Sequence, residues 1–232
     1  MGFDLDDTLY DREWIYEKTY AIMERNVLAT NASFYDFNQL FQQESIIEFK
    51  KFTQGIKNEL DYKLDRVLAT YKKLGQNLTK EQALIFHTLY LYYKERIEAR
   101  PGMENLMKHL QSVDVQLFIL TNGAEETQED KLYNLGIDKY IPAKHFFISG
   151  KIGAAKPDKT VFNAVEASLN LKGNEILYIG DHYETDILGS LQNNWKPVLF
   201  NIHNTKIENK SVLQFHSDEQ LYNYVKNITS KR

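Results

Sequence analysis

The sequence predicts an α/β protein, in which a parallel sheet is covered by helices on both faces and an all-helical stretch is interposed near the start. Three observations predict it. All four prolines, Pro101, Pro142, Pro157 and Pro197, lie beyond residue 100. Between Leu9 and Arg100 only Gly55 and Gly75 break the chain, and a stretch so poor in breakers reads as helices. After Pro101 short apolar runs alternate with helical patterns, the texture of strands joined by helices in a parallel sheet.

Each element has its own signal. Trp14, Ile15, Ile22 and Met23, then Phe37, Leu40 and Phe41, then Leu60, Leu64, Val67 and Leu68 recur at helical spacing and predict apolar helix faces. Thr79 with Gln82 predicts a capping box opening the last long helix, which Arg100-Pro101-Gly102 is expected to end. The strands are expected at Val115–Leu120, Phe146–Ile148, Ile176–Ile179 and Val198–Phe200, with helices near 125–135, 159–169 and 185–194. Residues 203–211 read as a surface loop. Ser217 and Gln220 predict a capping box for a final helix. Only three residues precede Asp4, fewer than the about five or six of a typical strand, so the natural chain is expected to begin upstream.

Composition narrows the function. There are 28 Lys+Arg against 32 Asp+Glu, a net charge of −4, which argues against a nucleic-acid polymer as partner. The absence of cysteine excludes disulfide scaffolds, thiolate metal sites and cysteine nucleophiles, and suits a cytoplasmic setting. No apolar run approaches the ~20 residues that span a bilayer, and no basic-then-apolar leader opens the chain, so no membrane association is expected. Met1-Gly2 begins like a myristoylation signal, but Asp6 stands where that signal needs Ser or Thr.

The polar residues at the ends of the apolar runs carry the chemistry. Ligands of open parallel sheets bind beyond the carboxyl ends of the strands. Asp4 and Asp6 follow the first run, Thr121 the second, Lys156 the third, and Asp181 with Asp186 the fourth. Several carboxylates gathered at one edge call for a cation, and Mg2+ is the hard ion that takes carboxylates, waters and a substrate phosphate. Lys156, the Thr121 hydroxyl and the backbone N–H groups of Asn122 and Gly123 suit phosphate oxygens. An aspartate can attack phosphorus, and a second carboxylate can move protons to the leaving group and from water.

In order and spacing, Asp4-x-Asp6-x-Thr8-Leu9, Thr121, Lys156-Pro157 and Gly180-Asp181-x4-Asp186 resemble the four motifs of the haloacid dehalogenase-like hydrolases. The resemblance covers the whole chain. It implies a Rossmann-like three-layer core, residues 1–13 and 100–232, and a helical C1-type cap, residues 14–99. It implies Asp4 as the nucleophile that becomes an aspartyl-phosphate and Asp6 as general acid and base, with its carbonyl on Mg2+. Thr121, Asn122, Gly123 and Lys156 would hold phosphate. Asp4, Asp6, Asp181 and Asp186 would form the metal site. Asp6 favours phosphomonoester chemistry, because dehalogenases replace that acid. Asp7 stands where many relatives carry Gly.

The resemblance also implies a small phosphorylated metabolite as substrate. The stretches 149–157 and 180–189 look close to a bacterial branch that includes house-cleaning nucleotidases, which points to a nucleoside monophosphate. Phosphosugar hydrolysis or a phosphomutase of the same superfamily is the alternative. A receiver-type signalling module fails on motif order, and a non-catalytic relative is disfavoured because every expected catalytic residue is present. Asp186 could equally charge-stabilise the helix near residue 185. His182 could line the site, and Tyr10 and Trp14 are candidates for substrate contact. Tyr90, Tyr92 and Tyr93 could stack on a base, although packing between helices is the simpler account.

Overall fold

The computed structural model describes residues 1–113, 115–207 and 209–230. The chain forms two compact units, Met1–Asp11 with Ile97–Arg232, and the inserted Arg12–Arg96.

The first unit is the α/β core. Its strands are β1 (Gly2–Phe3), β2 (Phe118–Thr121), β3 (Phe146–Ile148), β4 (Leu177–Gly180), β5 (Lys196–Phe200) and β6 (Gln214–Phe215). They form one sheet in the order β3-β2-β1-β4-β5-β6, and every pairing is parallel. The connections run outward from β1 to β3, and β4 then returns to the other side of β1. The strand order therefore reverses beside β1, where such sheets hold ligands. In register, Phe3 stands between Ile119 and Ile179, and the Asp4 N–H donates to Ile179 O at 2.8 Å. The short β1 is thus pinned on both sides.

Side chains alternate across these strands. Phe118, Leu120 and Tyr178 form one buried cluster with Val161, Phe162, Val165 and Leu169 of a helix at Lys159–Leu169, and with Trp195. Ile119 and Ile179 point to the opposite face and are equally buried. Two further helices, Pro101–Ser112 and Asp218–Thr229, pack on each other in this unit.

The inserted unit contains four helices, Arg12–Asn26, Phe34–Thr53, Glu59–Lys73 and Lys80–Lys94. Tyr20, Met23, Phe37, Phe41, Val67, Tyr71 and Phe86 form its core. Phe37 stacks on Tyr20 at 4.2 Å between ring centroids and on Phe41 at 5.5 Å. Ser33, Asn58 and Thr79 cap the last three helices, Thr79 and Gln82 bonding reciprocally. This is the α/β core with a helical insertion of the C1-cap class. Among the described residues no helix is long and apolar enough to cross a membrane.

Several local expectations need correction. The last helix of the insertion ends at Lys94, and Pro101 opens the next helix as its first-turn residue instead of ending the previous one. Proline already lacks the N–H that has no partner there and its φ is preset, so the residue read as a stop is a start. The helix expected near 185–194 is a wide π-helical turn, Tyr183–Leu188, followed by one α turn, Gly189–Gln192. Leu60, expected on an apolar face, sits in the first turn of its helix and is exposed. The Ser217 hydroxyl accepts from Gln220 N–H as expected, but the Gln220 side chain accepts from His216 rather than from Ser217. Of the loop 203–211, Glu208 lies outside the described residues.

Candidate active site

The site forms where β1, β2 and β4 end. Asp4 is the first residue beyond β1, Thr121 the last of β2, and Asp181 the first beyond β4. Lys156 arrives from the loop after β3. That loop is held by Asn122, whose side-chain oxygen accepts from Lys156 N at 2.8 Å and whose amide donates to Lys156 O at 3.0 Å. One asparagine thus reads both backbone groups of the lysine, and the lysine's origin is fixed before its ammonium reaches the site.

Lys156 Nζ lies 2.6 Å from Asp4 Oδ1, 2.7 Å from Asp186 Oδ1, 2.8 Å from the Tyr178 hydroxyl and 2.9 Å from Leu120 O. The Tyr178 hydroxyl in turn donates to Leu120 O at 2.6 Å. Asp4, Lys156 and Asp186 are all buried. Burial pushes the Asp4 carboxyl up to about 7; Lys156 opposes that rise and the Asp186 charge adds to it. Burial alone would drive the Lys156 ammonium towards neutrality, but the charges of Asp186 and Asp4 outweigh it and hold its pKa well above the ordinary lysine value. Burial likewise holds the Tyr178 hydroxyl in its neutral form.

Oxygens of Asp4, Asp181 and Asp186 all lie within 4.8 Å of one another. Two of these carboxylates are buried and share a single ammonium. Their excess negative charge and hard oxygen donors fit Mg2+. Asp186 Oδ2 also accepts from His182 N–H at 3.0 Å, so this residue stabilises the turn that carries it as well as facing Lys156. Gly180 makes the approach possible: a Cβ there would overlap the Asp186 carboxylate. Thr8 Oγ1 makes a long contact of 3.5 Å with Asp181 Oδ1.

Asp6 goes elsewhere. Asp7 adopts a left-handed φ of 60°, a conformation that suits glycine, and the chain turns away from the sheet. Asp6 Oδ1 accepts from Lys131 Nζ at 2.6 Å and from the Tyr10 hydroxyl, and Oδ2 accepts from Gln128 Nε2 at 3.0 Å. Its carboxylate is therefore outside the three-carboxylate cluster. Thr121 is buried beside it, and its hydroxyl accepts from Gln128 Nε2 at 2.7 Å.

Gly123 departs from expectation. Its N–H donates to Ser149 Oγ at 2.9 Å, so that hydrogen is already engaged. His182 caps the π-helical turn through Thr185 and is exposed. Tyr10 is buried and serves Asp6. In the helical unit Tyr90 stacks on Tyr16 at 5.6 Å, and Tyr93 packs edge-on against Trp14 at 5.7 Å. Tyr92 is exposed, with the Arg96 guanidinium over its ring.

Gln128, Lys131 and Tyr178 were missed by the sequence reading. The first two carried a signal. Residues 128, 131, 132 and 135 make one buried stripe of the helix Glu125–Asn134 and its cap. Two polar residues on such a stripe must have polar partners.

Comparison with known proteins agrees with this geometry. The family model described as haloacid dehalogenase-like hydrolase matches residues 2–192. The glyceraldehyde 3-phosphate phosphatase of Pyrococcus abyssi is 26% identical over 198 residues, 85% of this chain and 79% of that protein. The pyrimidine 5'-nucleotidase YjjG of Escherichia coli is 24% identical over 202 residues, 87% of this chain and 85% of that one. The HAD-hydrolase YfnB of Bacillus subtilis, solved with magnesium bound, superposes with a TM-score of 0.71 at 23% identity, covering 97% of this chain and 96% of that one. With its motif residues gathered at the switch point of a parallel sheet and its family model matched across most of its length, this chain belongs to the haloacid dehalogenase-like hydrolases.

Proposed function

We propose that this hydrolase cleaves phosphomonoesters of small metabolites through a phosphoryl group carried on Asp4. The observation that carries the reading is the Asp4 carboxylate, buried at the end of β1, paired through one oxygen with Lys156 and grouped with Asp181 and Asp186. With Oδ1 held by Lys156, Oδ2 is the oxygen that attacks phosphorus. Asp6, entering the cycle protonated, gives its proton to the departing ester oxygen and takes one back from the water that hydrolyses the acyl phosphate. Orthophosphate leaves and Asp4 is regenerated. The Thr121 hydroxyl and the Asn122 N–H donate to the phosphoryl oxygens, and Lys156 balances the charge beside them. Asp4, Asp181 and Asp186, with the Asp6 carbonyl, would hold Mg2+, which when bound would neutralise phosphoryl charge as a Lewis acid.

For the substrate we take a nucleoside monophosphate as the first reading, supported by the likeness to the pyrimidine 5'-nucleotidase. A sugar phosphate is the second, supported by the likeness to the glyceraldehyde 3-phosphate phosphatase. Phosphate release from a panel of nucleoside monophosphates and three- to five-carbon sugar phosphates, with Mg2+ and with EDTA, tests both. Release that needs Mg2+ and vanishes in Asp4→Asn is the expected result, and the ranking names the substrate class. Release that survives Asp4→Asn overturns the mechanism, and a preference for sugar phosphates overturns the first substrate reading.

A further inference from the structure

Gln128 lies at the junction of two functional groups that are distant in sequence. It is buried on the helix Glu125–Asn134. Its Nε2 is 2.7 Å from Thr121 Oγ1, 3.0 Å from Asp6 Oδ2 and 3.2 Å from Asn122 O. The orientation of the amide is determined by chemistry: reversed, its oxygen would face the Asn122 carbonyl oxygen, which cannot donate, and the Asp6 carboxylate, which cannot while ionised. Two hydrogens therefore serve three acceptors, and the amide ties the carboxylate to the hydroxyl.

The consequence lies in the hydroxyl. Thr121 Oγ1 receives a hydrogen from Gln128, so its own hydrogen must go to another acceptor, and the hydroxyl is buried. A buried O–H without an acceptor is unfavourable, so the arrangement is poised to give that hydrogen to an incoming oxygen. The same amide leaves Asp6 Oδ1 to Lys131 and Tyr10 while holding Oδ2 on the nitrogen that also donates to Thr121. Gly123 leaves room for this bridge: its φ is +155°, and a Cβ there would stand 2.7 Å from Gln128 Cγ.

We propose that Gln128 is a positioning residue for the transferred phosphoryl group, directing the Thr121 O–H towards a phosphate oxygen and holding the Asp6 carboxylate next to it. The inference rests on the phosphatase reading, and its test is chosen to stand apart from turnover. Orthophosphate binding in the presence of Mg2+ is measured by titration calorimetry for the wild type, Gln128→Met, Thr121→Val and the double variant. Methionine keeps the length of glutamine and removes the donor. If Gln128 acts through Thr121, Gln128→Met weakens orthophosphate binding ~10-fold, the size of one lost hydrogen bond. The double variant then binds no more than about twofold more weakly than Thr121→Val alone, because neighbours acting as one unit are not additive.

With a hydrolysed ester as substrate, Gln128→Met also lowers kcat as well as raising KM, whereas Thr121→Val acts mainly on KM, since only the former frees Asp6. Losses that multiply in the double variant, or orthophosphate binding unchanged in Gln128→Met, overturn the proposal. Should Gln128→Met not fold by circular dichroism, Gln128→Glu replaces it. That variant has the same shape but offers only acceptors to the Asp6 carboxylate and the Thr121 hydroxyl, and undiminished orthophosphate binding in it likewise overturns the proposal. Absence of ester turnover alongside the expected binding pattern counts against the phosphatase reading alone.

Discussion

Asp4→Asn is expected to make the metal-free protein more stable at alkaline pH while abolishing its chemistry. The buried group consists of Asp4, Asp186 and Lys156, with Tyr178 neutral beside them. Two carboxylates against one ammonium leave one negative charge in excess, and Asp6 adds to the repulsion. Burial first, and the Asp186 charge next among the unfavourable contributions, raise the Asp4 carboxyl from 3.8 to about 7. Since the folded value exceeds the unfolded one, the native state binds the extra proton between those pH values. Stability contributed by that proton is present in full below 3.8 and is lost as pH rises through about 7. Three pKa units correspond to about 4 kcal/mol. Asparagine has no charge to desolvate and still offers an oxygen to Lys156. Urea unfolding in EDTA, followed by Trp195 fluorescence in a Trp14→Phe background, is expected to show near-equal stabilities at about pH 4. The variant should then gain an advantage approaching ~4 kcal/mol by about pH 8. Mg2+ should close the gap, because it binds the ionised wild type and stabilises by mass action. A variant no more stable than wild type at pH 8 in EDTA, or a pH-independent difference, would refute the reasoning.

Further expectations test neighbouring parts. Lys156→Met leaves Asp4 and Asp186 facing each other without their shared ammonium and should cost about 3–5 kcal/mol in EDTA by the same urea measurement; an unchanged midpoint would show that the buried pair is not what holds the loop. Gly180→Ala drives a methyl into the Asp186 carboxylate and should weaken Mg2+ binding by calorimetry ~10–100-fold, as loss of support behind a metal ligand does. Thr79→Ala removes the reciprocal cap of the last helix of the insertion; helical-unit stability should fall by about 1 kcal/mol and Mg2+ affinity should not move.

The sequence was most legible where chain order itself carries chemistry. Asp4, Thr121, Lys156 and Asp181 each follow an apolar run, and a parallel sheet can only bring such ends to one edge. Asp186 was ambiguous because a carboxylate inside a turn can serve the turn or the site, and here its two oxygens do both. Tyr178 was unreadable: within an apolar run a tyrosine looks like another core aromatic, and only the three-dimensional placement of Lys156 gives its hydroxyl a role. The Gly123 N–H, following Thr121, reads as a phosphate donor, and the Ser149 that engages it lies 26 residues on. Pro101 reads as punctuation for the helix before it, since a proline alone does not say which of two helices it borders. In each case the missing information was a partner distant in sequence, which periodicity cannot supply.

The division between Asp4 and Asp6 follows from where the backbone turns. In an extended chain, residues two apart present their side chains to the same side, and two carboxylates so placed would compete for one counter-charge. The chain leaves the ladder after Asp4 and passes through a left-handed residue at Asp7, and Leu9 N–H closes back onto Leu5 O at 2.9 Å. Asp4 remains at the sheet edge with the ammonium of Lys156, while Asp6 swings to the helix after β2 and takes the ammonium of Lys131. Asp4 and Asp6 thus draw on different cations, delivered by different connections of the sheet. The proposed chemistry asks for that separation. A nucleophile is best dry and fixed, with one oxygen free, whereas a group that must both give and take a proton needs polar partners and a path to water. Asp4 is held at 9% side-chain exposure and Asp6 at 21%, so the same two-residue step that separates their charges also separates their access to solvent.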